Sequence, residues 1–152
     1  MKKLIVLTAG LALLLSSCIE TKPMLYNWGY KSTTKSASEY ETLLYDNYHT
    51  QSPESVCALL CQYEYMVTHP GGQRGVVPPG ICAEYGYLLL APETSQAFES
   101  KATKRQRETM GASGDYGATF REKGMQMLQK EIELYPESSI FIQPLIKKFS
   151  QQ

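Results

Sequence analysis

The run Ser52-Pro53-Glu54-Ser55-Val56-Cys57-Ala58-Leu59-Leu60-Cys61-Gln62-Tyr63-Glu64-Tyr65-Met66-Val67-Thr68 decides the fold class. Its first three residues form a helix start: a capping hydroxyl, a proline whose fixed φ suits the first helical position, and an acid beside the positive end of the helix. Val56, Leu59, Leu60, Tyr63, Met66 and Val67 then recur at three- and four-residue spacing, which puts them on one side of a helix. His69-Pro70-Gly71-Gly72 stops it. Such a stripe must be buried against other elements, and the flanking sequence supplies more helices.

Upstream, Ser38 and Glu41 have capping-box spacing, and Tyr40, Leu43, Leu44 and Tyr48 fall on one face of a short first helix. Downstream, Pro78-Pro79-Gly80 leads into a third helix, predicted to carry proline in its first turn and to bury Ile81, Cys82, Tyr85, Gly86 and Leu89 before Pro92 ends it. Gly86 costs about 1 kcal/mol relative to alanine in a helix interior, which predicts a close helix crossing. Residues 93 to 117 are polar, and the expectation there is a solvated helix followed by a flexible turn. Phe120, Gly124, Met127, Leu128, Ile132 and Tyr135 restore a helical face as far as Pro136, and a last helix from Ser138 to Phe149 is expected to kink or restart at Pro144. Nothing alternates as a strand would. The fold class is all-α, a domain of short helical hairpins.

The start of the chain is of a different kind. Lys2 and Lys3 precede an apolar run from Leu4 to Leu15, too short for the roughly 20 residues a membrane span needs but right for a secretory signal. Leu15-Ser16-Ser17-Cys18 resembles the bacterial lipobox, whose cysteine is acylated before the signal is removed. The expected organisation is a signal peptide over 1–17, a lipidated N-terminus and tether over 18–36, and a helical domain over 37–152. Several acyl chains, at about 0.8 kcal/mol per buried CH₂, would hold such a domain to a bilayer. Ile19 stands where an aspartate would signal retention in the inner membrane, so the resemblance implies the outer membrane, with the domain facing the periplasm.

Losing Lys2 and Lys3 leaves 13 basic residues against 15 acidic ones, which excludes a phosphate-reading surface and nucleic acid as a partner. All 11 tyrosines lie beyond Cys18 and suit protein contacts.

Tyr85-Gly86, Leu89 and the later Pro136 resemble marks of the tetratricopeptide helix pair. Cys82 stands for the usual tryptophan, Gly124 for the usual alanine, and 93–117 looks like an insertion. Four blocks resemble a narrower group. They are Leu25-Tyr26-Asn27-Trp28-Gly29-Tyr30, Leu44-Tyr45-Asp46-Asn47-Tyr48, the run from Pro78-Pro79-Gly80 to Leu88-Leu89, and Glu131-Ile132-Glu133-Leu134-Tyr135-Pro136-Glu137-Ser138. Together they are similar to the bacterial lipoprotein family called domain of unknown function 4810. That resemblance implies a small envelope lipoprotein associated with other lipoproteins, a curli-channel-like one among them. It brings no catalytic residues and no cofactor.

Cys57, Cys61 and Cys82 are an odd set once Cys18 is lipidated. They read first as small buried residues at a helix crossing, then as a disulfide from Cys82 to Cys57 or Cys61, and last as metal ligands with His69. Neither His49, expected in a turn after the first helix, nor His69 has the setting of a catalytic base. Glu84 reads as a carboxylate bonded to a neighbouring helix's backbone or tyrosine. Gly71-Gly72-Gln73-Arg74-Gly75 lacks the Lys-Ser/Thr of a phosphate loop. Lys101, Lys104, Arg105 and Arg107 read as a solvated face bracketed by Glu99 and Glu108. The functional expectation is therefore a non-enzymatic, membrane-anchored binding module without metal or cofactor. Its contact residues are expected at Tyr26, Trp28, Tyr30 and Tyr87. The alternative is a periplasmic enzyme or small-ligand carrier with its site between helices two and three, using Glu84 and the cysteines.

Overall fold

The computed structural model describes residues 24–29, 39–111 and 114–151. Cys18, the signal segment, Tyr30 and the Ser38 cap lie outside them. The described residues are helical apart from turns and a single Gly71–Val76 bridge. The helices are α1 (Glu39–Thr50), α2 (Pro53–Thr68), α3 (Ile81–Leu90), α4 (Thr94–Lys101), α5 (Lys104–Met110), α6 (Tyr116–Leu134) and α7 (Ser139–Ser150), with a 3₁₀ turn over Pro136–Ser138 before the last.

α2 begins as its sequence requires. The Ser52 hydroxyl accepts from Ser55 N–H at 3.1 Å, and Pro53 occupies the first turn. Of its expected stripe, Leu59, Leu60, Tyr63, Met66 and Val67 are buried and Val56 is half-buried, with Cys57 buried beside them, and α1, α3, α4 and α5 all pack around it. α6 lies along α3, and α7 covers α6. Leu90, Leu128, Ile142 and Phe149 form a second core between these last helices.

α3 and α6 form the most extensive helix pair, and glycine sets their approach. A Cβ on Gly86 would sit 2.8 Å from the Gly124 carbonyl oxygen, and one on Gly124 would sit 2.6 Å from Leu90 Cγ. The close crossing expected of Gly86 is thus present, with Gly124 as its counterpart.

Four local expectations are corrected. Residues 93–117 are not a solvated appendage: α4 and α5 both form, and Thr94, Phe98, Met110 and Tyr116 are buried, Phe98 edge-on to Tyr116 and Phe120. Three aromatic rings at 5.0 to 5.5 Å make this segment part of the core. The prolines before α3 precede the helix, which opens at Gly80 in a left-handed conformation. α7 passes through Pro144 without restarting. α1 turns Tyr40, Leu43 and Asn47 inward and leaves Leu44 and Tyr48, expected on the packing face, exposed, because among the described helices it packs mainly on α2; Tyr45 and Tyr48 are 70% and 81% exposed. His49 lies within the last turn of α1, stacked on Tyr45.

Candidate functional site

The segment at 24–29 has no helix of its own, yet it is held firmly. Gln73 N–H donates to the Met24 carbonyl and Arg74 N–H to that of Leu25, both at 3.0 Å, so the Gly71–Val76 turn clasps the incoming chain by its backbone. Only glycine fits at Gly72: its φ is +75°, and a Cβ there would lie 2.6 Å from the Leu25 oxygen. The Asn27 amide donates to the His69 carbonyl at 3.0 Å, and Arg74 lies over the Tyr26 ring. Gly29, also at φ +75°, closes over Gln62, whose buried Nε2 has no acceptor among the described residues.

This docking places Trp28 against Tyr40, the first ring of a continuous aromatic series. Trp28 stacks on Tyr40 at 6.2 Å, Tyr40 meets Tyr63 at 5.7 Å, and Tyr63 stacks on Tyr85 at 5.6 Å. Between α2 and α3 the polar ends are exchanged. Tyr63 of α2 donates to Glu84 of α3 at 2.8 Å, while Tyr85 of α3 donates to Glu64 of α2 at 2.7 Å. Tyr40 adds a second donor to Glu84 at 2.5 Å, and Lys123 pairs with Glu64 at 2.6 Å while lying over the Tyr85 ring. Burial, first, and the adjacent carboxylates raise all three tyrosine hydroxyls above their ordinary range, so each remains a neutral donor. Charge-assisted bonds of this kind contribute about 1.5–3 kcal/mol each. Glu84 thus has the tyrosine partners expected of it.

A groove of about 460 Å³ opens between the docked segment and α1, lined by Met24, Leu25, Tyr26, Trp28, Tyr40 and Glu41. Leu44, Tyr45 and Tyr48 follow Glu41 at three, four and seven residues, so the exposed aromatic side of α1 continues the groove along the helix. The surface is concave at one end, aromatic along its length and supported by a rigid core.

Of the residues expected to bind, Tyr26 and Trp28 come together here. Tyr87 does not: it is exposed on α3, edge-on to Phe149 of α7 at 6.1 Å. Tyr30 lies outside the described residues. Tyr40, Tyr45 and Tyr48 join the site without having been named for it. Their sequence signal was an unusual tyrosine density within the first helix, which had been read as packing.

The alternative site between α2 and α3 is filled by the stacked Tyr63 and Tyr85 rings. Glu84 is engaged by two tyrosines, Cys82 is fully buried and His69 is an exposed cap residue stacked on Tyr65. Cys57, Cys61 and Cys82 are free thiols, so the disulfide reading falls. Burial raises all three, Cys61 and Cys82 to about 11, which suppresses the reactive thiolate. The basic cluster is divided rather than presented as one face. Lys101 pairs with Glu54, and Arg107 donates to the carbonyls of Phe98, Glu99 and Ala102 at the end of α4.

The sequence reading missed Glu131, only 2% exposed. Its carboxylate, on α6, accepts from Gly80 N–H at 2.8 Å and Ala83 N–H at 3.2 Å, capping α3 from another helix. α3 needs this because Gly80 offers no side-chain cap. Comparison with known protein families, curated proteins and solved structures yields no match to this chain.

Proposed function

We propose that this chain is a lipid-anchored envelope adaptor, tethered to the bacterial outer membrane through Cys18 and facing the periplasm, whose aromatic groove docks another envelope protein. The observation that carries this is the placement of the groove. Its first wall is the segment that starts six residues after the lipobox cysteine, so the anchor and the binding surface belong to one continuous stretch. Tyrosine and tryptophan on a rigid support lose little entropy on binding and offer both apolar area and a polar tip. The lipoprotein-family resemblance supports a partner that is itself an envelope lipoprotein, such as a curli-channel-like one. No catalytic role is assigned to Glu84 or Glu64, which act as acceptors for Tyr40 of the groove lining and for the buried Tyr63 and Tyr85.

In-cell crosslinking and capture of the tagged full-length protein tests this, beside Cys18→Ala and Tyr26→Ala/Trp28→Ala chains whose folding is checked by circular dichroism. The proposal expects one or two envelope proteins to be captured, with loss in both variants. Undiminished capture by the folded Tyr26→Ala/Trp28→Ala chain would remove the groove from the account.

A further inference from the structure

The last helix presents a second surface that folding does not use. Ile140 and Phe141, at the start of α7, are 72% and 70% exposed. Pro144, Lys147 and Lys148 follow on the same side one and two turns later, while Ile142, Leu145, Ile146 and Phe149 face the core. Two adjacent large apolar side chains followed by two lysines make an amphipathic face of the kind that lies at a bilayer surface, the lysine stems apolar and their ends cationic.

The position of the chain's beginning says what covers this face. Met24 and Leu25 are fixed to the turn at Gln73 and Arg74, and just past that turn the Val77 carbonyl accepts from the Tyr135 hydroxyl at 2.6 Å. Tyr135 is the residue from which the 3₁₀ turn leads into α7, with Ile140 five residues on. The turn that clasps the start of the domain is therefore tied to the residue that leads into α7. Met24 is the sixth residue after Cys18, and a fully extended chain covers at most about 20 Å over that length. An acylated Cys18 holds this end of the domain within that distance of the bilayer. Lys147 and Lys148, in the last turn of α7, bring positive charge to the phosphates, with Glu137 of the 3₁₀ turn the acid at the opposite, N-terminal end of the helix.

We propose that α7 lies on the anionic headgroup surface of the bilayer that holds the Cys18 lipid, with Ile140 and Phe141 set among the headgroups and Lys147 and Lys148 on their phosphates. This fixes the orientation of the domain and turns the groove beside α1 toward its partner. It rests on the lipid-anchor reading and adds the surface to which the domain is docked.

The test uses the full acylated chain reconstituted into vesicles of phosphatidylethanolamine with or without phosphatidylglycerol, the acyl chains brominated to quench nearby tryptophan. Trp28 is the only tryptophan, so Phe141→Trp and, as a control, Tyr48→Trp each add one reporter at an exposed position. The emission added by Phe141→Trp should be mostly lost on phosphatidylglycerol vesicles and protected from an aqueous quencher, while that added by Tyr48→Trp stays bright and water-accessible. Lys147→Glu with Lys148→Glu should restore water access at the Phe141 position. An acylated chain whose Phe141→Trp reporter stays as water-accessible as the Tyr48→Trp reporter overturns the docking alone. Protection that appears in detergent and grows with protein concentration assigns the face to a second copy and also overturns it. A purified chain whose mass shows no acyl group on Cys18 overturns the anchor and the docking together.

Discussion

Removing the Glu131 carboxylate should destabilise the domain far more than its single position suggests. Buried Glu131 serves two part-buried N–H groups at the start of α3 and faces the positive end of that helix. Glu131→Ala leaves both donors without an acceptor, at about 1–3 kcal/mol each, and removes a favourable charge–dipole interaction of about 1 kcal/mol. The expected loss is about 3–7 kcal/mol, a large share of the roughly 5–15 kcal/mol by which domains are stable. Glu131→Gln keeps the volume and one acceptor oxygen but turns an NH₂ toward the second donor, so about 2–3 kcal/mol should be lost. Urea unfolding gives both values, and native-state hydrogen exchange at the Gly80 and Ala83 amides locates the effect. A loss below about 1 kcal/mol for Glu131→Ala, with those amides still protected, would refute the assignment of Glu131 as the cap of α3.

At the α3–α6 crossing, Gly86→Ala should cost about 1–3 kcal/mol by urea unfolding despite a helix-propensity gain of about 1 kcal/mol, because the new Cβ meets the Gly124 carbonyl oxygen rather than a movable side chain. Gly72→Ala should release residues 24–27 while leaving the helices intact, seen as faster exchange of the Gln73 and Arg74 amides with unchanged far-ultraviolet dichroism. Stability should fall in alkali. Cys61 and Cys82 are raised from 9.0 to about 11 and the Tyr40, Tyr63 and Tyr85 hydroxyls are raised as well, so the fold holds these protons longer than the unfolded chain does. That stabilisation is complete below the unfolded values and is lost as pH climbs through the folded ones, so the urea midpoint should be level near about pH 8 and drop steadily toward about pH 11. A thiol reagent at neutral pH should modify the three cysteines slowly in the native chain and rapidly in urea; rapid native labelling of Cys57 or Cys82 would contradict their burial.

The fold was legible where burial is periodic. The α2 stripe, the inward side of α3 and the glycine at its crossing follow from spacing alone, because a helix has one geometry and its packing face repeats every three or four residues. The segment at 93–117 was misread for the same reason. Two helices of eight and seven residues are too short to show a period, so Phe98 and Met110 looked isolated when each fills the core. On α1 the pattern was present but its meaning was not, since Leu44 and Tyr48 match a packing face yet stay exposed, α1 packing mainly on α2 among the described helices. Within the site, Tyr26 and Trp28 were recognisable as aromatics near the proposed anchor. The exchanged Tyr63–Glu84 and Tyr85–Glu64 pairs were visible as mirrored dipeptides, Tyr63-Glu64 and Glu84-Tyr85, whose relation exists only once α2 and α3 lie side by side. The role of Glu131 depends on a contact 51 residues away, which no local pattern encodes.

The most direct test of the adaptor account places a photo-crosslinking amino acid in the cellular protein at Tyr26, within the groove, at Tyr45, on its continuation along α1, and at Glu108, exposed on α5. The account predicts that Tyr26 and Tyr45 positions yield the same crosslinked envelope protein, that Glu108 yields none of it, and that Cys18→Ala abolishes the product. Equal crosslinking from all three positions, or an undiminished product when Cys18 is replaced, would contradict it.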